Sequence, residues 1–264
     1  MSDGMNSEKP FEFFDRYYYA HDCGRPYKRD EVWIRTFDRI AQRIVEDIGP
    51  QTVLDAGCAW GFLVESLRRR GVEAYGMDVS EYAIQQVHPD VQPYCWVGSI
   101  LDPLPQTYDL IVSIEVLEHM PRQDGEVAVV NICDHAEEIL FSSSPKDYRE
   151  ATHFNVHTPD YWVRLFAREG YYRDVSYDVA YITPWAMRFR HDLTMIDDVL
   201  VPYERKLWTY EQARQEMRKR LLELEQRLRQ NGKAASIRDQ RIGQSRIRIV
   251  ERLHKELDRL RCCL

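Results

Sequence analysis

The stretch "VLDAGCAWGF", residues 53–62, decides how the rest of the chain is read. An apolar run ends on Asp55 and breaks into Gly57 and Gly61, the pattern of a buried strand that turns sharply into a helix. A dinucleotide loop needs Gly-x-Gly-x-x-Gly, because a pyrophosphate must approach bare backbone at a helix N-terminus. Here Ala59 and Trp60 stand inside the turn, and Phe62 takes the place of the third glycine. Such a loop suits a ligand that carries no phosphate.

Working outward, short apolar strands alternate with helical patterns. Strands are expected at 52–57, 72–78, 91–97, 108–116 and 137–144, with helices at about 61–70, 80–87 and 124–134. This alternation predicts an α/β fold: a Rossmann-like, seven-stranded, mostly parallel sheet with helices on both faces. Before it, residues 31–48 place Trp33, Ile34, Phe37, Ile40, Ala41, Ile44 and Ile48 on one helical face, stopped by Gly49 and Pro50. After it, a helix opens with Thr158 as N-cap and Pro159 in its first turn and stops at Gly170. "YYRDVSYDVAYITPW", residues 171–185, then reads as two edge strands.

Three regions follow from this pattern: an aromatic lid and helix at 1–50, a ligand-binding domain at 51–202, and a helical tail at 203–264. The tail carries a charge of +8 and the remainder −15, within a total of −7. Met217, Leu221, Leu224 and Leu228 form one apolar stripe and Val250, Leu253, Leu257, Leu260 and Leu264 a second, separated by "NGKAAS". Each stripe is too narrow to bury itself, so the tail is either a hairpin of two helices or a coiled coil that makes a homo-oligomer. The six cysteines show no CxxC pairing, which excludes a structural zinc from the expectations. No apolar stretch is long enough to span a bilayer, and the N-terminus lacks the order of a signal peptide, so a cytoplasmic location is expected.

In an open parallel sheet, ligands sit beyond the carboxyl ends of the strands. Asp78 ends the second strand 21 positions past Gly57, the separation at which an acid reaches a ribose hydroxyl pair. After the fourth strand comes "IEVLEHM", and after the fifth a segment with His153 and His157.

"VLDAGCAWGFLVESL", "GMDVS", "YDLIVSIEVLEHM" and "ATHFNVHTPDYWVRLFAREGY" together resemble the class I S-adenosylmethionine-dependent methyltransferases, in particular the bacterial group found with sugar and surface-glycan biosynthesis. The resemblance covers roughly residues 12–190. It implies S-adenosyl-L-methionine as cofactor, with Asp55, Gly57, Ala59 and Gly61 around the methionine end and Asp78 with Val79 at the ribose. It also implies Ser99 and Ile100 at the adenine edge, with Glu115 completing the set. Many relatives carry Asp where this chain has Ser99, which leaves Asp102 or backbone to receive the adenine amino group.

Methyl transfer to an alcohol needs alignment and a base. The candidates are Glu118 and His119 after strand four and His153 and His157 after strand five. "EVLEH" also resembles ubiquinone-pathway O-methyltransferases, in which the matching acids and histidine are associated with a divalent metal. That resemblance implies a magnesium-type site on Glu115, Glu118 and His119, while packing roles for Glu118 and His119 stay open. Tyr17, Tyr18, Tyr19 and Tyr27 are expected either to close over the cofactor and stack on a sugar ring or to pack against the body.

The expected activity is O-methylation of a sugar or glycan precursor. Nucleic-acid methylation is disfavoured, because strand four ends in "SIEV" and no Pro-Cys pair supplies a nucleophile. The tail's arginines also interleave with glutamates, as on a solvated helical face. Methylation of another small molecule and a catalytically silent docking module are the remaining alternatives.

Overall fold

The computed structural model describes residues 13–23, 25–148, 150–191, 196–234 and 251–252. It divides into two compact units, Met1–Pro202 and Tyr203–Leu264. The first is built on a seven-stranded sheet of β1 (Thr52–Ala56), β2 (Glu73–Asp78), β3 (Cys95–Val97), β4 (Tyr108–Ile114), β5 (Ala136–Ser142), β6 (Tyr172–Arg173) and β7 (Met187–Arg190). Their spatial order is β3-β2-β1-β4-β5-β7-β6. The first five strands run parallel, and β7 lies antiparallel to both β5 and β6.

Alternation along each strand sends side chains to two cores. Leu54, Ile111, Ile139 and Phe141 pack under α5 (Arg122–His135) and α6 (Pro159–Arg168), around the fully buried Trp162 and Phe166. Val53, Ala74, Leu110, Val112 and Leu140 face the other way, onto Ile40, Ala41 and Ile44 of α2 (Glu31–Asp47) and Leu63, Val64 and Leu67 of α3 (Phe62–Arg68). Buried on both sides, the central strands read as near-continuous apolar runs.

Helix ends follow the caps in the sequence. Asp30 accepts the amides of Val32 and Trp33 at the start of α2. Ser80 caps α4 (Glu81–Gln85). Asp15 caps α1 (Arg16–His21), an element that the aromatic pattern of the segment did not disclose.

One expectation changes. The stretch 171–185 supplies only β6, and the next strand begins at Met187; residues between them fold without strand pairing, and Val179 and Ala186 pack into the α2 side of the core. The apolar stripe at the start of the tail lies on α7 (Ile196–Ala234), where Leu221 is buried but Met217 and Leu224 are about half exposed. The second stripe, from Val250 to Leu264, lies outside the described residues. No helix among the described residues is long and apolar enough to cross a membrane.

Candidate functional site

A cavity of about 440 Å³ opens beyond the carboxyl ends of β1, β2, β3, β4 and β5, where a doubly wound sheet places its ligand. Gly57 forms the first turn with φ of +91°, and a Cβ there would fall 2.3 Å from Val116 Cγ2. Only glycine fits. The amides of Gly57 and Cys58 both donate to the Met77 carbonyl, so the turn is welded to the end of β2. Asp78 holds the turn from the same side: its Oδ2 accepts the Ala59 amide at 2.8 Å and its Oδ1 the Ser80 amide at 2.9 Å. Ala59 has φ of +45° and Glu115 of +54°, the two non-glycine residues held in the left-handed region among those described. Both line the cavity, where strained backbone tends to gather at functional sites.

Asp55 and Asp78 are buried side by side. Burial, reinforced by the Asp78 charge, pushes the Asp55 carboxyl up to about 8. Burial also raises Asp78, against the lowering effect of its Ser80 and Ala59 hydrogen bonds.

Of the residues expected around a cofactor, Asp55, Gly57, Ala59, Asp78, Val79, Ile100 and Glu115 line the cavity. Gly61 and Ser99 stand behind the wall. Gly61 starts α3 with φ of +69° against Val87 and Cys95, and the Ser99 hydroxyl accepts the Leu101 amide. Asp102 is also off the wall, its carbonyl held by Asn131, whereas Gly98 and Leu101 are on it.

The other half of the cavity is formed after β4 and β5. The turn Leu117–His119 carries Glu118, fully buried, whose Oε1 accepts the Ser144 amide at 3.0 Å. Its Oε2 is buried with no donor among the described residues and has Glu115 for a neighbour. Burial, and then Glu115, pushes the Glu118 carboxyl up to about 8. His119 and His153 line the cavity with ring centroids 4.6 Å apart. Glu118 lies behind this wall, and His157 is stacked on Tyr161 outside it.

The hydrogen bonds around His119 fix its tautomer. Thr152 Oγ1 donates to Glu150 Oε1 at 2.7 Å, so toward His119 Nδ1, 3.0 Å away, it can only accept. The Thr152 carbonyl, 3.3 Å from the same nitrogen, also only accepts. Nδ1 therefore carries the proton, and Nε2 presents its lone pair to the Tyr18 hydroxyl at 3.4 Å. Burial and the neighbouring His153 push His119 down to about 4. His153 is the charged partner: burial opposes its protonation, but Glu150 Oε2 at 3.1 Å and the Asp147 carbonyl at 2.8 Å push it up to about 9.

The N-terminal aromatics close the cavity. Ser80 Oγ donates to the Phe14 carbonyl, and Phe14 meets Tyr18 and His119 edge-on. Tyr19 and Tyr27 pack against Trp60 at 6.3 and 5.7 Å. Tyr17 points away and is 65% exposed. Sequence reasoning missed Glu150 and Trp185, both on the wall. Trp185 Nε1 donates to Glu115 Oε1 at 2.9 Å. The spacing of Glu150 and His153 was a usable signal; Trp185 gave none.

The residues fit a divalent cation of the magnesium type in one respect. Ligand atoms of Glu118, His119 and His153 lie within 4.8 Å of one another, and Glu118 Oε2 is buried with no donor among the described residues.

Residues 27–175 match the family described as Methyltransferase domain. The ubiquinone biosynthesis O-methyltransferase of Neisseria meningitidis serogroup C is 26% identical over 166 residues, 50% of this chain and 70% of that protein. Its counterpart from Serratia proteamaculans is 33% identical over 94 residues, 32% of this chain but only 37% of that protein. Neither relative bears a sugar or glycan name, so the expected glycan grouping finds no support in them. Among solved structures, the magnesium protoporphyrin IX methyltransferase ChlM of Synechocystis PCC 6803 with bound SAM superposes with a TM-score of 0.52 at 18% identity, over 70% of this chain and 97% of that one. With the family match spanning more than half of its residues and the sheet order that of the fold, the chain belongs to the methyltransferase-domain family, and its fold is that of the S-adenosylmethionine-dependent methyltransferases.

Proposed function

We propose that the protein transfers the methyl group of S-adenosylmethionine to a hydroxyl oxygen of a small organic acceptor. The observation that carries this reading is the neutral His119, which lines a cavity continuous with the Asp55–Gly57–Asp78 turn and whose Nε2 holds only the long contact to the Tyr18 hydroxyl. Asp78 keeps acceptor capacity on both carboxylate oxygens for the ribose hydroxyls, and Asp55 offers negative charge to the cationic methionine end. The acceptor oxygen attacks the methyl carbon in line, the carbon–sulfur pair leaves with sulfur, and the acceptor proton passes to His119 Nε2, where the acceptor hydroxyl takes the place of the Tyr18 hydroxyl. A hydroxyl oxygen gaining a third bond becomes strongly acidic, so a weak base suffices. Glu118 and the Glu150–His153 pair act by positioning, because they hold the segments that carry His119 and Thr152. An aromatic hydroxyl suits the ring-lined wall better than a sugar does, in keeping with the names of the two relatives.

Calorimetric titration with S-adenosylmethionine tests the cofactor half. Wild type should bind and Asp78→Ala should lose most of the affinity; no binding by wild type, or unaltered binding by the variant, would sink the reading.

The buried Glu118 Oε2, with no donor among the described residues, favours a second reading, in which Glu118, His119 and His153 hold a magnesium-type cation that polarises the acceptor oxygen. Activity measured with and without a chelator separates the two. Self-association through the tail is supported by the half-exposed Met217 and Leu224 on α7. Light scattering should show a lower molar mass, beyond the residues removed, when 203–264 are deleted.

A further inference from the structure

Past Pro202, α7 continues into the second compact unit as one helix, and its apolar face runs further than the stripe from Met217 to Leu228. Tyr203, Leu207, Tyr210, Arg214, Met217, Leu221, Leu224 and Leu228 follow one another at spacings that alternate between four and three. These are the first and fourth positions of a seven-residue repeat, sustained over more than three repeats with Arg214 as its single charge. A seam this narrow becomes stable only against a partner. Leu207, Tyr210, Met217 and Leu224 are exposed, and only Leu221 is buried within the chain itself.

The residues that flank the seam identify the partner. Immediately before each first position stand Lys206, Ala213, Arg220 and Arg227; immediately after each fourth position stand Glu204, Glu211, Arg218 and Glu225. In two parallel helices aligned in register, a residue of the first row meets the one five positions further along the other chain. Lys206 then meets Glu211, Arg220 meets Glu225, and Ala213 meets Arg218, so attraction is repeated on both sides of the seam and no like charges oppose each other. A slip of one repeat brings Lys206 onto Arg218. An antiparallel pair sets the first row against itself, and that row holds three cations and no acid. The pairs already present within the helix, Glu211 with Arg214 and Arg220 with Glu216, are solvent-accessible and compete weakly. Arg214 lies opposite its own copy only when the chains are in register; Glu211, 2.6 Å away, offsets its charge. A lone polar residue at this position costs stability and fixes register.

From the exposed seam and its self-complementary flanks we infer that α7 docks on a second copy of the same chain, as a parallel, in-register, two-stranded coiled coil over residues 203–228. The inference rests on the self-association proposed above and supplies its partner, direction and register.

The test is light scattering on the full chain over a dilution series. Wild type should have the mass of two chains at the concentrated end. Lys206→Glu and Glu211→Lys each turn the attraction between these two positions into repulsion on both sides of the seam, and each should weaken the dimer by at least about tenfold. Mixed in equal amounts, the two variants again bring opposite charges together, so the mixture should form a dimer tighter than either variant forms alone. A wild type that stays monomeric at every concentration overturns the inference together with the self-association beneath it. A wild-type dimer that neither variant weakens, or variants that remain apart when mixed, leaves self-association standing and overturns the parallel register. A wild-type mass of three or more chains overturns the two-stranded pair.

Discussion

Trp60 sits in the turn between Gly57 and Gly61, where a phosphate-binding loop would have no room for a ring, and it is the keystone of an aromatic cluster with Tyr19, Tyr27, Phe62 and Tyr82. Its rings close the joint between the N-terminal segment and the body. Among the described residues its indole N–H is buried without a partner. The two features predict different outcomes for two substitutions. Trp60→Ala removes the ring and opens a cavity, and should lower the unfolding free energy by about 2–3 kcal/mol. Trp60→Phe keeps an aromatic body and removes the unsatisfied donor, so it should fall within about 1 kcal/mol of wild type. Urea titration of both proteins checks the order, and equal losses would show that the polar atom does not matter. Gly57→Ala is a third case. Its Cβ would collide with Val116 in a backbone region closed to alanine, so cofactor binding in a calorimeter should be lost even where the protein still folds.

At the scale of elements, the acceptor half depends on a clamp between α5, the Leu117–His119 turn and the loop after β5. Phe154 and Asn155 both donate their amides to the Glu118 carbonyl at 2.8 and 2.9 Å, and Asn155 Nδ2 reaches the Leu117 carbonyl. Gly125 of α5 lies against the same amide, and a Cβ there would stand 2.6 Å from Asn155 Nδ2. Gly125→Ala thus sets two effects against each other. Alanine gains about 1 kcal/mol of helix propensity, but overpacking a buried site costs about 1–3 kcal/mol. The clash should win, with a net loss of about 1 kcal/mol and weaker methyl transfer, while S-adenosylmethionine binding stays within about twofold of wild type; these are read by urea titration, a labelled-methyl assay and calorimetry. None of this clamp was legible in the sequence, because its partners lie up to 38 residues apart and are joined through backbone carbonyls. The turn after β1 was legible for the opposite reason: Asp55, Gly57 and Asp78 stand at strand ends and at a φ that only glycine adopts, which are local signals. The same contrast explains the sheet. Its parallel strands announced themselves as apolar runs, whereas β6 and β7 are too short for periodicity and are fixed by pairing with β5 and by Arg188 against Glu138 and Asp174.

For the molecule as a whole, the cavity that we propose receives a cationic cofactor ties binding and stability to pH through its buried carboxylates. In the empty protein Asp55 has a pKa of about 8, above the ordinary carboxylate range of the unfolded chain, because it is buried beside Asp78. The folded state therefore binds a proton that the unfolded state has released, from the ordinary carboxylate range up to about pH 8. Stability from this group is fully present below that window and is lost as pH rises through it. Asp78, also raised, acts in the same direction. A cationic cofactor reverses the preference, since it favours the ionised carboxylates and must displace the proton to bind. Affinity for S-adenosylmethionine should accordingly rise by up to about tenfold per pH unit between pH 6 and 7.5, the limit for release of one proton. Asp55→Asn should bind more weakly at pH 7.5 and show a flatter slope. Thermal melts supply the second half of the test: the empty protein should melt lower at pH 7.5 than at pH 6, and saturating cofactor should narrow or reverse that difference. Parallel slopes for wild type and Asp55→Asn in calorimetry, together with melts of the empty protein that do not fall with pH, would remove Asp55 as the group that links cofactor, charge and fold.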